Sequence, residues 1–149
     1  MKVGTALILV LMAAAGALPQ TAVAQSTLAA AKTELTTAIF HAGELAQRGS
    51  AVAASKTHLQ HTLNCLQGPQ GANFNAAAGD VCRGQGNGII PDLRAAQAAG
   101  VAGAGRALTF AEAAQTLILT ALQSNDVNLV QPYAAAVANQ LKQALAALP

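Results

Sequence analysis

One stretch of the 149-residue chain concentrates side chains able to do chemistry: Thr57-His58-Leu59-Gln60-His61-Thr62-Leu63-Asn64-Cys65-Leu66. Positions three and seven apart fall on one side of a helix, so His58, His61 and Cys65 share a face. Val52, Leu59, Leu63 and Leu66 form an apolar stripe turned more than about 100° away from it.

Three chemistries fit the histidine face. Imidazole nitrogens suit zinc, copper, nickel and iron, which makes His58 and His61, with His41 as an optional third, candidate ligands of a transition metal or a non-covalent heme. Cys65 as a thiolate ligand or redox nucleophile is a second reading, though no C-x-x-C motif supports it. In the third, Cys65 bonds Cys82 and the intervening loop folds back over the histidines. His58, His61 and Asn64 would then serve loop carbonyls that need partners. Sixteen residues lie between the two cysteines, and closing such a loop stabilises by roughly 3 kcal/mol.

His41 lies eight residues before Gly49 and His58 nine after it. In a hairpin turning at Gly49, both stand about 12–14 Å from the turn, level across the pair. Yet His41 shares its face with Glu34, Thr37, Glu44 and Arg48, which reads as a solvated polar side.

The N-terminus decides how the cysteines are read. Lys2, the apolar stretch Ala6 to Leu18, Pro19 and the small residues Ala22-Val23-Ala24 have the order of a secretory signal peptide. Cleavage is expected after Ala24. The apolar run is about 13 residues, whereas a spanning helix needs roughly 20, and no cysteine near the cleavage site offers a lipid anchor. The expectation is a periplasmic or secreted protein with a single domain, residues 25–149, and no membrane anchor after cleavage. Two cysteines in an oxidising compartment favour a disulfide.

Removing residues 1–24 leaves seven basic against six acidic side chains, too balanced for an electrostatic case for nucleic acid or anionic lipid. Phe40, Phe74, Phe110 and Tyr133 make no stacking platform. Both methionines, Met1 and Met12, lie in the leader, so the mature chain has no thioether ligand. Alanine dominates the rest, favouring helix while burying little area per residue. A thin core of this kind benefits from a covalent staple.

The periodicity gives four helical segments. Residues 26–48 carry Leu28, Ala31, Leu35, Ile39, Ala42 and Ala46 on one stripe, with Ser26 or Thr27 as cap. Gly49-Ser50 stops this helix and caps a second, which runs to about Gln67. Residues 68–91 are too rich in Gly and Asn for a regular element. A third helical region, Pro91 to Gln123, is interrupted in character by Gly100, Gly103 and Gly105. Thr109 with Glu112 suggests a fresh start there, and close packing through the glycines is the competing account. After the turn at Ser124-Asn125-Asp126, Val130, Ala134, Val137, Leu141, Leu145 and Leu148 mark the last helix, with Pro132 in its first turn. The expected fold is all-α: an antiparallel, up-down-up-down four-helix bundle with a long disulfide-pinned loop between helices 2 and 3.

Other motifs fail. Gly84-Gln85-Gly86-Asn87-Gly88 follows no strand and is no dinucleotide fingerprint. Asp80, Asn87 and Asp92 lack calcium-loop spacing and its terminal bidentate glutamate. No H-E-x-x-H helix, heme-attachment motif or nucleophile elbow is present, so nothing nominates an enzyme.

The string His58-Leu59-Gln60-His61 with Asn64-Cys65-Leu66, then Gly68, Phe74, Cys82 and Gly86-Asn87-Gly88, resembles small exported helical proteins of proteobacteria. Those carry a similar H-L-x-H-x-x-N-C-L motif and a second cysteine before a Gly-rich turn. The resemblance spans roughly residues 57–92 and implies no activity. In architecture the chain also resembles periplasmic four-helix-bundle cytochromes, but it lacks their Met ligand and covalent heme motif. Three expectations follow. One is a non-enzymatic exported bundle with a structural or partner-binding role, the partner being another protein or a second copy. The second is a periplasmic metal- or heme-binding protein using His58 and His61. The third is a small enzyme with its site under the 68–91 loop, marked by a pocket converging on His58, His61 and Asp80.

Overall fold

The structure, a computed structural model, describes residues 20–48 and 51–149. The leader expected at residues 1–24 lies outside the described residues as far as residue 19, as do Gly49 and Ser50. The first helix, α1 (Gln20–Phe40), continues into a π-helical turn, His41–Ala46. Helix is therefore already formed through the expected cleavage point. Ser26 and Thr27 do not cap it, because helix precedes them; their hydroxyls donate back to the Val23 carbonyl at 2.9 and 3.0 Å.

Helix α2 (Val52–Gln67) ends at Gly68, whose N–H donates to the Asn64 carbonyl at 2.8 Å. The loop that follows holds only a short 3-10 turn, Ala76–Ala78. Its two ends meet at Gly68 and Gly88. A Cβ on Gly88 would stand 2.5 Å from the Gly68 nitrogen, and one on Gly68 1.8 Å from the Asn87 carbonyl oxygen. Only two residues without side chains let the backbones cross so closely.

The chain then forms α3 (Ile89–Ala98), α4 (Ala104–Gln123) and α5 (Val127–Ala146). The protein is all-helical, with five helices and no strand among the described residues. The third segment accounts for the change from four. It breaks across residues 99–103, where Gly100 and Gly103 adopt φ of +77° and +78°. The fresh start comes before Thr109, which lies inside α4 with its hydroxyl donating to the Gly105 carbonyl. Gly103 also faces the Ala147 carbonyl so closely that a Cβ would lie 1.9 Å from its oxygen. The start of α4 thus meets the end of α5, and these two helices run antiparallel.

Helix α5 begins earlier than expected because Asp126 caps it, accepting from the Asn128 N–H at 2.9 Å. Pro132 is consequently the sixth helical residue, in the second turn rather than the first. Pro91 falls in the first turn of α3, where its missing N–H costs nothing.

The core is built from small residues. Helix α4 buries Ala104, Ala107, Ala111, Ala114, Ile118 and Ala121 at alternating spacings of three and four. Opposite it, α5 buries Val130, Ala134, Val137, Leu141 and Ala144. Larger side chains are concentrated around α2, where Leu59, Leu63 and Leu66 are buried with Leu35, Ile89 and Leu93. Helix α3 packs between α1 and α4, and the π-helical turn packs on α2 and α5. That turn and α2 carry the three histidines.

Candidate metal centre

All three histidines of the chain meet at one point. His41 Nδ1 lies 3.4 Å from His58 Nδ1 and 3.3 Å from His61 Nδ1. The ring centroids stand 5.5, 5.0 and 5.4 Å apart, close to an equilateral triangle. One ligand atom from each histidine lies within 4.8 Å of the other two. His58 and His61 come from adjacent turns of α2, and His41 opens the π-helical turn opposite them. A single π-helical turn inside an α-helix is rare and recurs at functional sites.

The polar side expected for α1 is divided. Glu44 and Arg48 are exposed and form a 2.8 Å ion pair. His41 is half-buried against α2, and Glu34, one helical segment earlier, is 1% exposed. Helix 2 and the Gly-rich loop cover the part of the face that carries these two residues. Hydropathy within α1 gave no sign of that cover.

The Cys65–Cys82 disulfide is formed, with Cα atoms 5.3 Å apart. Both cysteines are consumed by it, so Cys65 is neither a thiolate ligand nor a nucleophile. The loop folds back over α2 as the third reading expected, but the work divides unevenly. His61 Nε2 donates to the Ala78 carbonyl at 2.6 Å. The Asn64 side chain donates to the Asn75 and Gly79 carbonyls at 2.8 and 2.7 Å and accepts from the Asn75 N–H at 2.9 Å. His58 and His41 make no side-chain hydrogen bond outside the trio among the described residues.

The bond to Ala78 fixes the tautomer of His61. A carbonyl only accepts, so Nε2 carries the proton and neutral His61 turns a lone pair at Nδ1 toward the other rings. His41 Nδ1 then faces two nitrogens at once. One proton cannot make hydrogen bonds of full strength along both directions, so at least one of the two contacts is left weak or unmatched. A cation at the common centre removes that conflict.

Electrostatics keep the ligands ready. Burial, then the neighbouring His61 and His58, push His41 down to about 4. His58 is lowered as well, by burial first and His61 second. At neutral pH both are uncharged, the form that donates to a metal. Phe40, 52% exposed, stands edge-on to His41 with centroids 5.8 Å apart and flanks the site with an apolar wall.

The separations discriminate among occupants. A tetrahedral ion bound at about 2.0–2.1 Å sets its nitrogen ligands about 3.3–3.4 Å apart. Neighbouring ligands at right angles would lie nearer about 2.9 Å for the same bond length. A bis-histidine heme needs its nitrogens on opposite faces of a flat macrocycle; nitrogens 3.4 Å apart and converging leave no room for one. No protein-family model, curated protein or solved structure matches the chain.

Proposed function

We propose that this protein is an exported helical domain that binds a divalent transition-metal ion, zinc foremost, through His41, His58 and His61. The observation that carries the reading is the convergence of the three histidines: two Nδ1–Nδ1 edges of 3.3 and 3.4 Å have the spacing of a tetrahedral nitrogen site, and one ligand atom from each ring lies within 4.8 Å of the others. Three imidazole ligands leave the fourth position for water or an exogenous ligand. The Nε2 bond from His61 to Ala78 supplies the outer-shell contact that orients a metal-binding histidine.

Export is supported by the leader pattern of residues 1–24 together with the disulfide, a bond that persists in oxidising compartments. No helix among the described residues is long and apolar enough to cross a membrane. Bracing of the loop accounts for His61 and Asn64. It does not account for His41 and His58, which leave the loop alone and face the same point.

The test is a zinc titration of mature, chelator-stripped protein made without a polyhistidine tag, by calorimetry against a competing chelator. One ion per chain is expected, with His41→Ala, His58→Ala and His61→Ala each weakening binding at least tenfold. Absence of binding, or equal affinity in a His58→Ala/His61→Ala variant, refutes the reading.

A further inference from the structure

A second cluster of polar groups, of different chemistry, lies beneath the Gly-rich loop. Asp80, Asn87 and Asp92 lack the terminal glutamate of a calcium loop, and Glu34 comes to lie beside Asp80 and Asp92 from outside the loop. Glu34 of α1 is 1% exposed. Its Oε1 accepts from the Gly88 N–H at 2.9 Å, while its Oε2 is buried without a partner. Glu34 lines a cavity of about 100 Å³ together with Asn64, Asp80, Gly84, Gly86 and Gly88. The glycines can present only peptide groups to it.

The buried charge beside the cavity is acidic. Asp92 is 1% exposed, and a Cβ on Gly86 would lie 2.3 Å from its Oδ2 and 2.8 Å from Glu34 Oε1, so two buried carboxylates bracket that glycine. Asp92 is satisfied by Asn87, whose backbone N–H and side-chain Nδ2 donate to it at 3.0 and 2.9 Å. Arg83 is the cation of the lining; it is exposed and forms no ion pair among the described residues. A buried carboxylate oxygen without hydrogen or cation is costly.

We propose that Glu34 Oε2, Asp80 and peptide carbonyls of the Gly-rich loop form a calcium site independent of the histidine centre. All its donors are oxygens, which select a hard cation over zinc or copper. Calcium accepts irregular coordination by carboxylates and loop carbonyls, whereas magnesium demands near-octahedral geometry and retains its waters. At about 100 Å³ the cavity has room for an ion and one or two waters at about 30 Å³ each. Burial, with Asp92 and Asp80 nearby, pushes Glu34 up to about 7, so a proton competes for the same oxygen.

Thermal unfolding of the chelator-stripped mature protein at pH 8, with and without 5 mM calcium chloride (about fifty times a dissociation constant near 0.1 mM), tests the assignment. Calcium should raise Tm by about 5 °C or more in the wild type. The same rise is expected in His58→Ala, because His58 makes no side-chain hydrogen bond to the loop among the described residues and the bond from His61 to Ala78 stays in place. Glu34→Gln should abolish it, and Asp80→Asn, which keeps the Oδ1 that accepts from Cys82, should at least halve it. Magnesium should give less than half the rise. No rise in the wild type, an undiminished rise in Glu34→Gln or Asp80→Asn, or an equal rise with magnesium overturns the proposal.

Discussion

The disulfide and the asparagine beside it hold the same loop by different physics, and a pair of variants separates them. Cys65→Ala/Cys82→Ala opens a link between residues 17 apart in sequence. The chain-entropy relation for a loop of that length gives about 3 kcal/mol at 25 °C, acting through the unfolded state. In the native state the loop keeps its other restraints: the three Asn64 bonds, the Gln60 donation to the Asn73 carbonyl at 3.0 Å and the Asp92–Asn87 pair. The bond from His61 to Ala78 should therefore survive. Urea unfolding should show a loss of about 3 kcal/mol, equivalent to about 10 °C in Tm for a domain of this size, while zinc affinity of the folded variant changes by no more than a few-fold. Asn64→Ala is the counterpart. It strips a nearly fully buried side chain from three loop groups, leaves them unsatisfied, and should cost about 2–4 kcal/mol. It should also lower zinc affinity about 10–100-fold, because the carbonyl that orients His61 loses its support. If the cysteine variant weakens zinc as much as Asn64→Ala does, the staple shapes the native site and does not act through the unfolded state alone.

Two further outcomes follow from burial and backbone geometry. Glu34, raised from 4.5 to about 7, keeps a proton in the folded state that the unfolded chain has released. Its contribution is fully present below about pH 4.5 and is lost as pH rises through 7, by up to about 3 kcal/mol. In calcium-free buffer the stability advantage of Glu34→Gln over wild type should grow from pH 5 to pH 8 in urea titrations; parallel profiles would contradict the burial of that charge. Gly103→Ala places a methyl 1.9 Å from the Ala147 oxygen at φ +78°, and denaturation should show a loss of at least about 2 kcal/mol.

Much of this was legible in local pattern. Leu59, Leu63 and Leu66 are buried as their spacing required, with Val52 of the same stripe half-buried; Val130, Ala134, Val137, Leu141 and Leu148 are buried too, with Leu145 half-buried. The disulfide was legible from two cysteines behind a leader-like N-terminus. The levels of His41 and His58 were legible too, because helical rise fixes distance along an axis once a turn is placed. The break at residues 99–103 was not resolvable. Glycines mark both a stop and a close packing site, and only the neighbouring Ala147 carbonyl shows that Gly103 is both. Pro132 was misplaced by half a turn or more because Asp126, a residue that suits turns and caps alike, serves as the cap.

By itself the sequence determined helix, staple and the face shared by His58, His61 and Cys65, since each depends on residues near one another in the chain or on the chemistry of a compartment. The tertiary structure alone decided which side chains face one another across elements. It turned His41 from an apparently solvated side into the third member of a nitrogen triangle, and it carried Glu34 under a loop that begins more than thirty residues later. Helical period reports which residues share a side; it holds no information about what packs against that side. That information resides in the hairpin between α1 and α2 and in the return of the Gly-rich loop, and those bring the two candidate ion sites together.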